Sequence, residues 1–290
     1  MKSEAQTCSN TLFQKSFQHL NSQGPVQIAV LPSHNMFVSG GTNSYGLVIA
    51  KLKENGDTIS TKYISSSTGN AGINSQLVRD GDQKLLIVFT NRIYSLDTNS
   101  NVLSVQQLIT SQSESGQDQI KKIQVLSDGD KIIAINVPSG CVIVRANENL
   151  TTVKWSKFFT VDKLSVEDFL LDDNKIVLVG PAIDPLSGTA NSFLAQLNVE
   201  NGSFLKYRVL KPSEAGNSYI NQIFKTGNTY VASVFMNGAS VSSGKYFIVR
   251  MDTSLNIISA KRLKPSIQSG VVDYSFFFSP NDDGSYYGAA

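Results

Sequence analysis

The chain has 290 residues, 41% of them hydrophobic and 17% charged, with 25 Lys and Arg against 23 Asp and Glu for a formal charge of +2. So even a balance excludes the basic footprint of a nucleic-acid-binding protein or a polybasic membrane patch, so no nucleic-acid partner is expected. No run reaches the roughly 18 unbroken apolar residues of a membrane span, and MKSEAQTCSN lacks the apolar core of a signal peptide.

Taken in order, the chain opens with Lys2 to Gln6, weakly apolar, and then Thr11-Leu12-Phe13-Gln14-Lys15-Ser16-Phe17. The latter has the form of Thr58-Ile59-Ser60-Thr61-Lys62-Tyr63-Ile64. From Gln27 onward, short apolar runs alternate with tight polar turns. Turn segments recur at Pro32-Ser33-His34-Asn35, Asp80-Gly81-Asp82, Asp128-Gly129-Asp130, Asp172-Asp173-Asn174, Thr226-Gly227-Asn228 and Asn281-Asp282-Asp283-Gly284. Asp-Gly, Gly-Asn and Asn-Asp pairs tolerate the positive φ that tight hairpins demand. From Pro32 the preceding residues step to Arg79, Ser127, Leu171, Lys225 and Ser279, which is 47, 48, 44, 54 and 54 residues. That period belongs to four-stranded propeller blades.

Each turn leads into a second strand: Met36 to Gly40, Leu85 to Phe89, Ile132 to Ile135, Ile176 to Gly180, Tyr230 to Val234 and Tyr286 to Gly288. Their nearly continuous apolar character predicts burial on both faces. Third strands are expected at Leu47 to Leu52, Ile93 to Leu96, Val142 to Ala146, Phe193 to Leu197 and Phe247 to Met251. Fourth strands end on basic-then-apolar residues, as in Lys62-Tyr63-Ile64, Lys157-Phe158-Phe159, Arg208-Val209-Leu210 and Lys261-Arg262-Leu263; cations on an edge strand discourage aggregation. Helical periodicity is absent.

The ends set the expected blade count. The first strands of a last blade fall at Tyr274 to Phe278 and Ser285 to Ala289, and the N-terminal segments supply its third and fourth strands. The expected architecture is therefore all-β, a single six-bladed β-propeller domain over 1–290. Its blades cover 26–65, 73–109, 120–160, 165–210 and 219–264, with one blade shared between 1–18 and 272–290. Such a clasp removes two open edges. A fragment of a longer repeat array is the competing account.

The run Phe37-Val38-Ser39-Gly40-Gly41-Thr42-Asn43-Ser44-Tyr45-Gly46-Leu47-Val48-Ile49-Ala50-Lys51-Leu52, then Asn55-Gly56-Asp57 and Lys62-Tyr63-Ile64, resembles the SBBP-type β-propeller repeats of secreted and surface proteins. The match is good in the first blade and partial in the fourth and fifth. It is poor in the second, where Thr90-Asn91-Arg92 replaces the glycine segment. The resemblance implies a propeller outside the cytoplasm and supplies no catalytic residues.

In a propeller the first strands line the central channel. Three residues back from each turn stand Ala29, Gln76, Gln124, Asp168, Gln222 and Phe276, and one position earlier stand Ile28, Ser75, Ile123, Glu167, Asn221 and Ser275. Polar groups inside apolar strands face water or one another. Glu167 and Asp168 are adjacent carboxylates, with Asn221, Gln222 and Asp273 as companions. No loop spacing there marks a metal site, and no metal or other cofactor is expected. The connections Pro181 to Asn191 and Met236 to Gly244 read as long, which places a recognition surface for a protein or glycan over blades four and five. Cys8 and Cys141 fall in blades too far apart to bridge, and His19 and His34 have no metal-binding partner spacing. Asn149-Leu150-Thr151 and Asn201-Gly202-Ser203 are N-glycosylation sequons expected in exposed turns.

These features read as a non-enzymatic binding or assembly module, outside the cell or on its surface. One alternative is a carbohydrate-active hydrolase or lyase using Glu167 and Asp168 at the channel mouth. Another is a structural subunit packed against a partner.

Overall fold

The computed structural model describes residues 27–33, 35–42, 46–65, 76–89, 91–108, 110, 118–160, 163–184, 186–210, 216–237, 244–263, 277–280 and 286–289. The first sheet pairs β1 (Gln27–Val30), β2 (Met36–Thr42), β3 (Gly46–Leu52) and β4 (Thr58–Ser65) in sequence order. The second does the same with β5 (Gln76–Asp80), β6 (Lys84–Phe89), β7 (Arg92–Asp97) and β8 (Val102–Gln107). The third holds β9 (Gln119–Val125), β10 (Lys131–Val137), β11 (Gly140–Ala146) and β12 (Val153–Phe159). The fourth holds β13 (Asp168–Asp172), β14 (Lys175–Ile183), β15 (Ala190–Asn198) and β16 (Phe204–Leu210). The fifth holds β17 (Asn217–Thr226), β18 (Thr229–Asn237), β19 (Lys245–Asp252) and β20 (Ile257–Leu263). A two-stranded sheet of β21 (Phe277–Pro280) and β22 (Tyr286–Ala289) follows.

Four-stranded sheets thus number five among the described residues, where six blades are expected. Beyond the five there is only the two-stranded sheet of β21 and β22, and the strands expected to join it fall in 1–18, outside the described residues. The chain divides into two compact units, Met1–Ile87 with Ser95–Leu103 and Val88–Tyr94 with Ser104–Ala290. In the first unit, β1 lies against β5. The second unit contains the third, fourth and fifth sheets, and there the packing logic is fully visible.

Side chains alternate across a strand, so a strand buried on both sides needs apolar residues at every position. On β14, Ile176 and Leu178 pack with Ile132, Ala134, Cys141 and Ile143 of the third sheet. Val177 and Val179, one step out of phase, pack with Ile220, Ile223, Tyr230 and Ala232 of the fifth. The run IVLV is two interfaces interleaved. Gly180 continues it, and a Cβ there would stand 1.9 Å from the Ser165 carbonyl oxygen, so glycine alone lets the segment before β13 lie this close.

The turns between third and fourth strands repeat one design. Residues Gly56, Ser100, Leu150 and Leu255 donate their amides to the carbonyls of Lys53, Asp97, Asn147 and Asp252, each with φ between 59° and 82°. Asp97 and Asp252 cap their turns identically, Oδ1 accepting two backbone amides and Oδ2 accepting from the side chain of Asn101 or Asn256. The matching strings Asp97-Thr98-Asn99-Ser100-Asn101 and Asp252-Thr253-Ser254-Leu255-Asn256 carry this feature in the sequence.

Candidate functional site

The inner strands β9, β13 and β17 each carry one extra residue at the same height. The register steps over Lys121 between Ile120↔Ile135 and Lys122↔Ala134, and over Asn221 between Ile220↔Val234 and Gln222↔Ser233. Glu167 donates its amide to Val179, the residue already opposite Asp168. A β-bulge sharpens the local twist and re-aims neighbouring side chains. The equivalent pairs are therefore Lys121-Lys122, Glu167-Asp168 and Asn221-Gln222.

This corrects the expected column. The hairpin between β9 and β10 closes at Leu126 and Asp130 over three residues, whereas Asp172↔Lys175 and Thr226↔Thr229 close over two. Counting from a shared turn motif therefore put Gln124 in place of Lys122. Likewise, Leu31 pairs with Asn35, which makes Gln27, opposite Ser39, the equivalent in the first sheet instead of Ala29. Gln124 sits in β9 with a buried, unpartnered Oε1. Gln76 begins β5 in the first unit, and Asp273 lies outside the described residues.

Glu167 and Asp168 are brought beside cations from the preceding sheet. Lys121 Nζ lies 3.2 Å from Glu167 Oε2, and Ser165 Oγ donates to Glu167 Oε1 at 3.4 Å. Lys122 Nζ lies 2.5 Å from Asp168 Oδ1 and 5.4 Å from the centre of the Phe169 ring. Asp168 Oδ1 also accepts from the Phe169 amide at 2.9 Å, while Oδ2 accepts from the Ile223 amide of the fifth sheet at 2.8 Å. One carboxylate thus ties three consecutive inner strands together. Asn221 and Gln222 are half-buried on β17 and have partners of their own. Among the described residues no group of three or more His, Cys, Asp or Glu is placed to hold a metal ion. Cys141 is a buried free thiol, pushed by burial up to about 12.

The expected long connection in the fourth blade is partly strand. Pro181 to Ile183 belong to β14, and Ala190 and Asn191 to β15, so the hairpin projects further and its turn is shorter. Asp184 organises that turn. Its amide donates to the Thr189 carbonyl, its carbonyl accepts from Gly188, and its Oδ1 accepts from the amides of Leu186 and Ser187. At the tip Leu186 is 97% exposed. The root is bolted to the fifth sheet, with the Ala190 amide donating to Asn217 Oδ1 at 2.8 Å and the Ser192 amide to Ser218 Oγ at 2.8 Å. In the fifth blade, Met236 and Asn237 are likewise strand, while 238–243 lie outside the described residues. Beside Asn217 and Asn237, Tyr219, Phe235 and Tyr246 stack with centroid distances of 6.4 and 4.9 Å.

Sequence reasoning missed the ties between sheets. Asn136 reaches from β10 to Ser165 Oγ and the Val166 carbonyl, and its Oδ1 accepts from the Val166 amide. The signal was present as a polar residue late in the apolar run Ile132 to Val137. Asn149 and Asn201 stand exposed in the turns from β11 to β12 and from β15 to β16, as expected.

No protein-family model matches the chain, and no curated protein matches it in sequence. Solved structures do. A protein of unknown function from Bacteroides caccae is 16% identical, with 83% of this chain and 82% of that one covered at a TM-score of 0.54. A Lactobacillus plantarum protein is 10% identical, covering 81% and 70% at 0.58. The Neurospora crassa Pan2 WD40 domain is 12% identical, covering 90% and 84% at 0.52. With the repeated four-stranded sheets, these likenesses establish a β-propeller-type repeat fold.

Proposed function

We propose that the protein is a non-enzymatic binding or assembly module of the SBBP-like kind, working outside the cell or at its surface. Its recognition face for a protein or glycan lies over the fourth and fifth sheets. The observation that carries this reading is the β14–β15 hairpin, which holds Leu186 fully exposed on a turn already ordered by Asp184 and anchored to the fifth sheet by Asn217. An anchor ordered before binding avoids most of the entropy cost of association, and burying a leucine contributes about 1.5–3 kcal/mol. A six-bladed ring, in which 1–18 complete the sheet begun by β21 and β22, is part of this reading.

Hydrolysis through Glu167 and Asp168 is disfavoured by chemistry. Both Asp168 oxygens accept hydrogen bonds from the protein, and Glu167 is paired with Lys121. A general acid or nucleophile needs an oxygen facing substrate.

The test immobilises the wild-type chain and L186D, checked for equal melting temperatures, against native cell-surface proteins and a glycan array. A ligand held by wild type and lost at least tenfold by L186D supports the reading. Equal retention by both, or glycoside turnover abolished by E167Q, overturns it.

A further inference from the structure

We propose that Asn149 and Asn201 form a matched pair of N-glycan acceptors on two neighbouring sheets, occupied when the chain passes through a glycosylating secretory compartment. The inference rests on the extracellular part of the proposed function.

Each asparagine immediately precedes the left-handed residue of its turn. Leu150 has φ 59° and donates to the Asn147 carbonyl at 3.0 Å, and Gly202 has φ 66° and donates to the Asn198 carbonyl at 2.9 Å. The same position is asparagine in the first two sheets, as Asn55 before Gly56 and Asn99 before Ser100. The turn geometry alone therefore favours asparagine there. What sets the third and fourth sheets apart is the residue two places on. It is Thr151 and Ser203, against Asp57, Asn101 and Asn256 elsewhere, and a hydroxyl at that place defines an acceptor.

Both side chains are exposed, and Asn149 makes no side-chain hydrogen bond to any described residue. Attachment therefore displaces no packing at Asn149. At Asn201 it alters only the bond that Oδ1 accepts from the Ser203 amide at 2.9 Å, leaving the amide nitrogen free to carry the sugar. Exposed apolar residues follow both turns, as they follow the equivalent turns that carry no sequon, where Ile59, Val102, Leu103, Ile257 and Ile258 are exposed too. Val153 is 57% exposed, Phe204 46% and Leu205 49%.

In the transfer, the asparagine side-chain nitrogen bonds the anomeric carbon of an oligosaccharide carried on a lipid pyrophosphate. The bond from that carbon to the pyrophosphate breaks, and the lipid pyrophosphate and the amide proton leave.

The full chain is expressed in a eukaryotic secretory host behind a heterologous leader. Peptides from the medium and from the cell-retained fraction are mapped by mass spectrometry, before and after enzymatic glycan release in heavy-oxygen water. Both asparagines are expected to convert to labelled aspartate. N149Q is expected to lose one glycan, S203A the other, and the double variant both. S203A is chosen because it leaves Asn201 and the Ser203 amide in place. An unmodified asparagine at either site in both fractions overturns the pairing. A chain carrying both glycans yet wholly retained supports the sites and overturns the extracellular reading instead.

Discussion

The junction between the third and fourth sheets and the junction between the fourth and fifth satisfy one matching backbone carbonyl with different donors. Arg145 on β11 and Gln196 on β15 occupy equivalent positions, each two residues beyond the closing pair of the adjacent hairpin and each beside a bulge. Arg145 Nη1 donates to the Val199 carbonyl at 3.2 Å, and Gln196 Nε2 to the matching Thr253 carbonyl at 2.9 Å. A fourth-strand side chain adds a second tie at each place, Trp155 Nε1 to Val199 and Arg208 Nη1 to Leu255. The charge is distributed oppositely. Arg145 is surrounded by Asp128, Asp130 and Glu200 at 2.7 Å, with Lys154 on Asp130. At the second junction the linking amide is neutral, and the buried carboxylate Asp172 takes hydrogen bonds from Lys225 and the Tyr230 hydroxyl. The repeat thus conserves the carbonyl to be satisfied and leaves the donor free to vary.

Asp168 belongs to both junctions, so its removal has the largest expected effect. D168A strips Lys122 of its partner and leaves the buried Ile223 amide without an acceptor. A broken buried pair costs about 3–5 kcal/mol, and urea unfolding is expected to show a loss in that range. R145M comes next, at about 3 kcal/mol, because Asp130 keeps only Lys154. Q196M, with a neutral donor to one carbonyl, is expected to cost about 1 kcal/mol. Equal losses for R145M and Q196M would erase the distinction between the junctions.

Acid acts on both junctions and alkali separates them. Burial pushes the Asp130 carboxyl up, but hydrogen bonds from Lys154 and Arg145 outweigh it and hold the group below its ordinary value. Asp172 is lowered in the same way, burial being outweighed by Lys225 and Tyr230. A carboxyl lowered on folding stabilises the fold above about pH 4, and that contribution is lost as pH falls through the folded value. Tyr230 is raised, by burial first and then by its bond to Asp172; Lys225 is raised chiefly by its bond to Asp172. Groups raised on folding stabilise fully below their unfolded values and lose that contribution as pH climbs past about 10. Arg145 keeps its proton throughout. Alkali is therefore expected to lower the urea midpoint of wild type more than that of Y230F, and acid to do so by a smaller margin, because Asp172 keeps Lys225 in the variant.

Much of this architecture was legible locally. The strand cores Leu85 to Phe89 and Ile176 to Gly180 are visible because burial on both faces demands unbroken apolar runs. The phase of the inner strands was not, since Leu126 and Asp130 close a longer hairpin than Asp172 and Lys175. Lys121-Lys122 was passed over because lysines read as solvated. Its equivalence to Glu167-Asp168 appears only once the bulges align them. Glu167 and Asp168 stand out in the sequence as adjacent carboxylates. Their role as ties depends on residues from other repeats, which no local pattern reveals.

The smallest expected effect has the opposite sign and extends the comparison to the turns. At the left-handed position of the β15–β16 turn, Gly202 is required twice over, by φ 66° and by the Trp155 ring, whose Cε3 atom lies 2.7 Å from where a Cβ would stand. Ser100 holds the equivalent position between β7 and β8 with φ 62°, 2% exposed and with a hydroxyl that has no partner. An L-residue in this conformation is strained by about 1–2 kcal/mol, and a buried unpaired hydroxyl adds to that. Glycine removes both at a cost of about 0.5–1 kcal/mol in unfolded-chain freedom. S100G is therefore expected to raise stability by about 1 kcal/mol, read as a higher urea midpoint with an unchanged slope. G202A at the matching turn should do the reverse, since its Cβ meets a ring already fixed by a hydrogen bond to Val199. A loss of stability in S100G would mean that the Ser100 hydroxyl is satisfied.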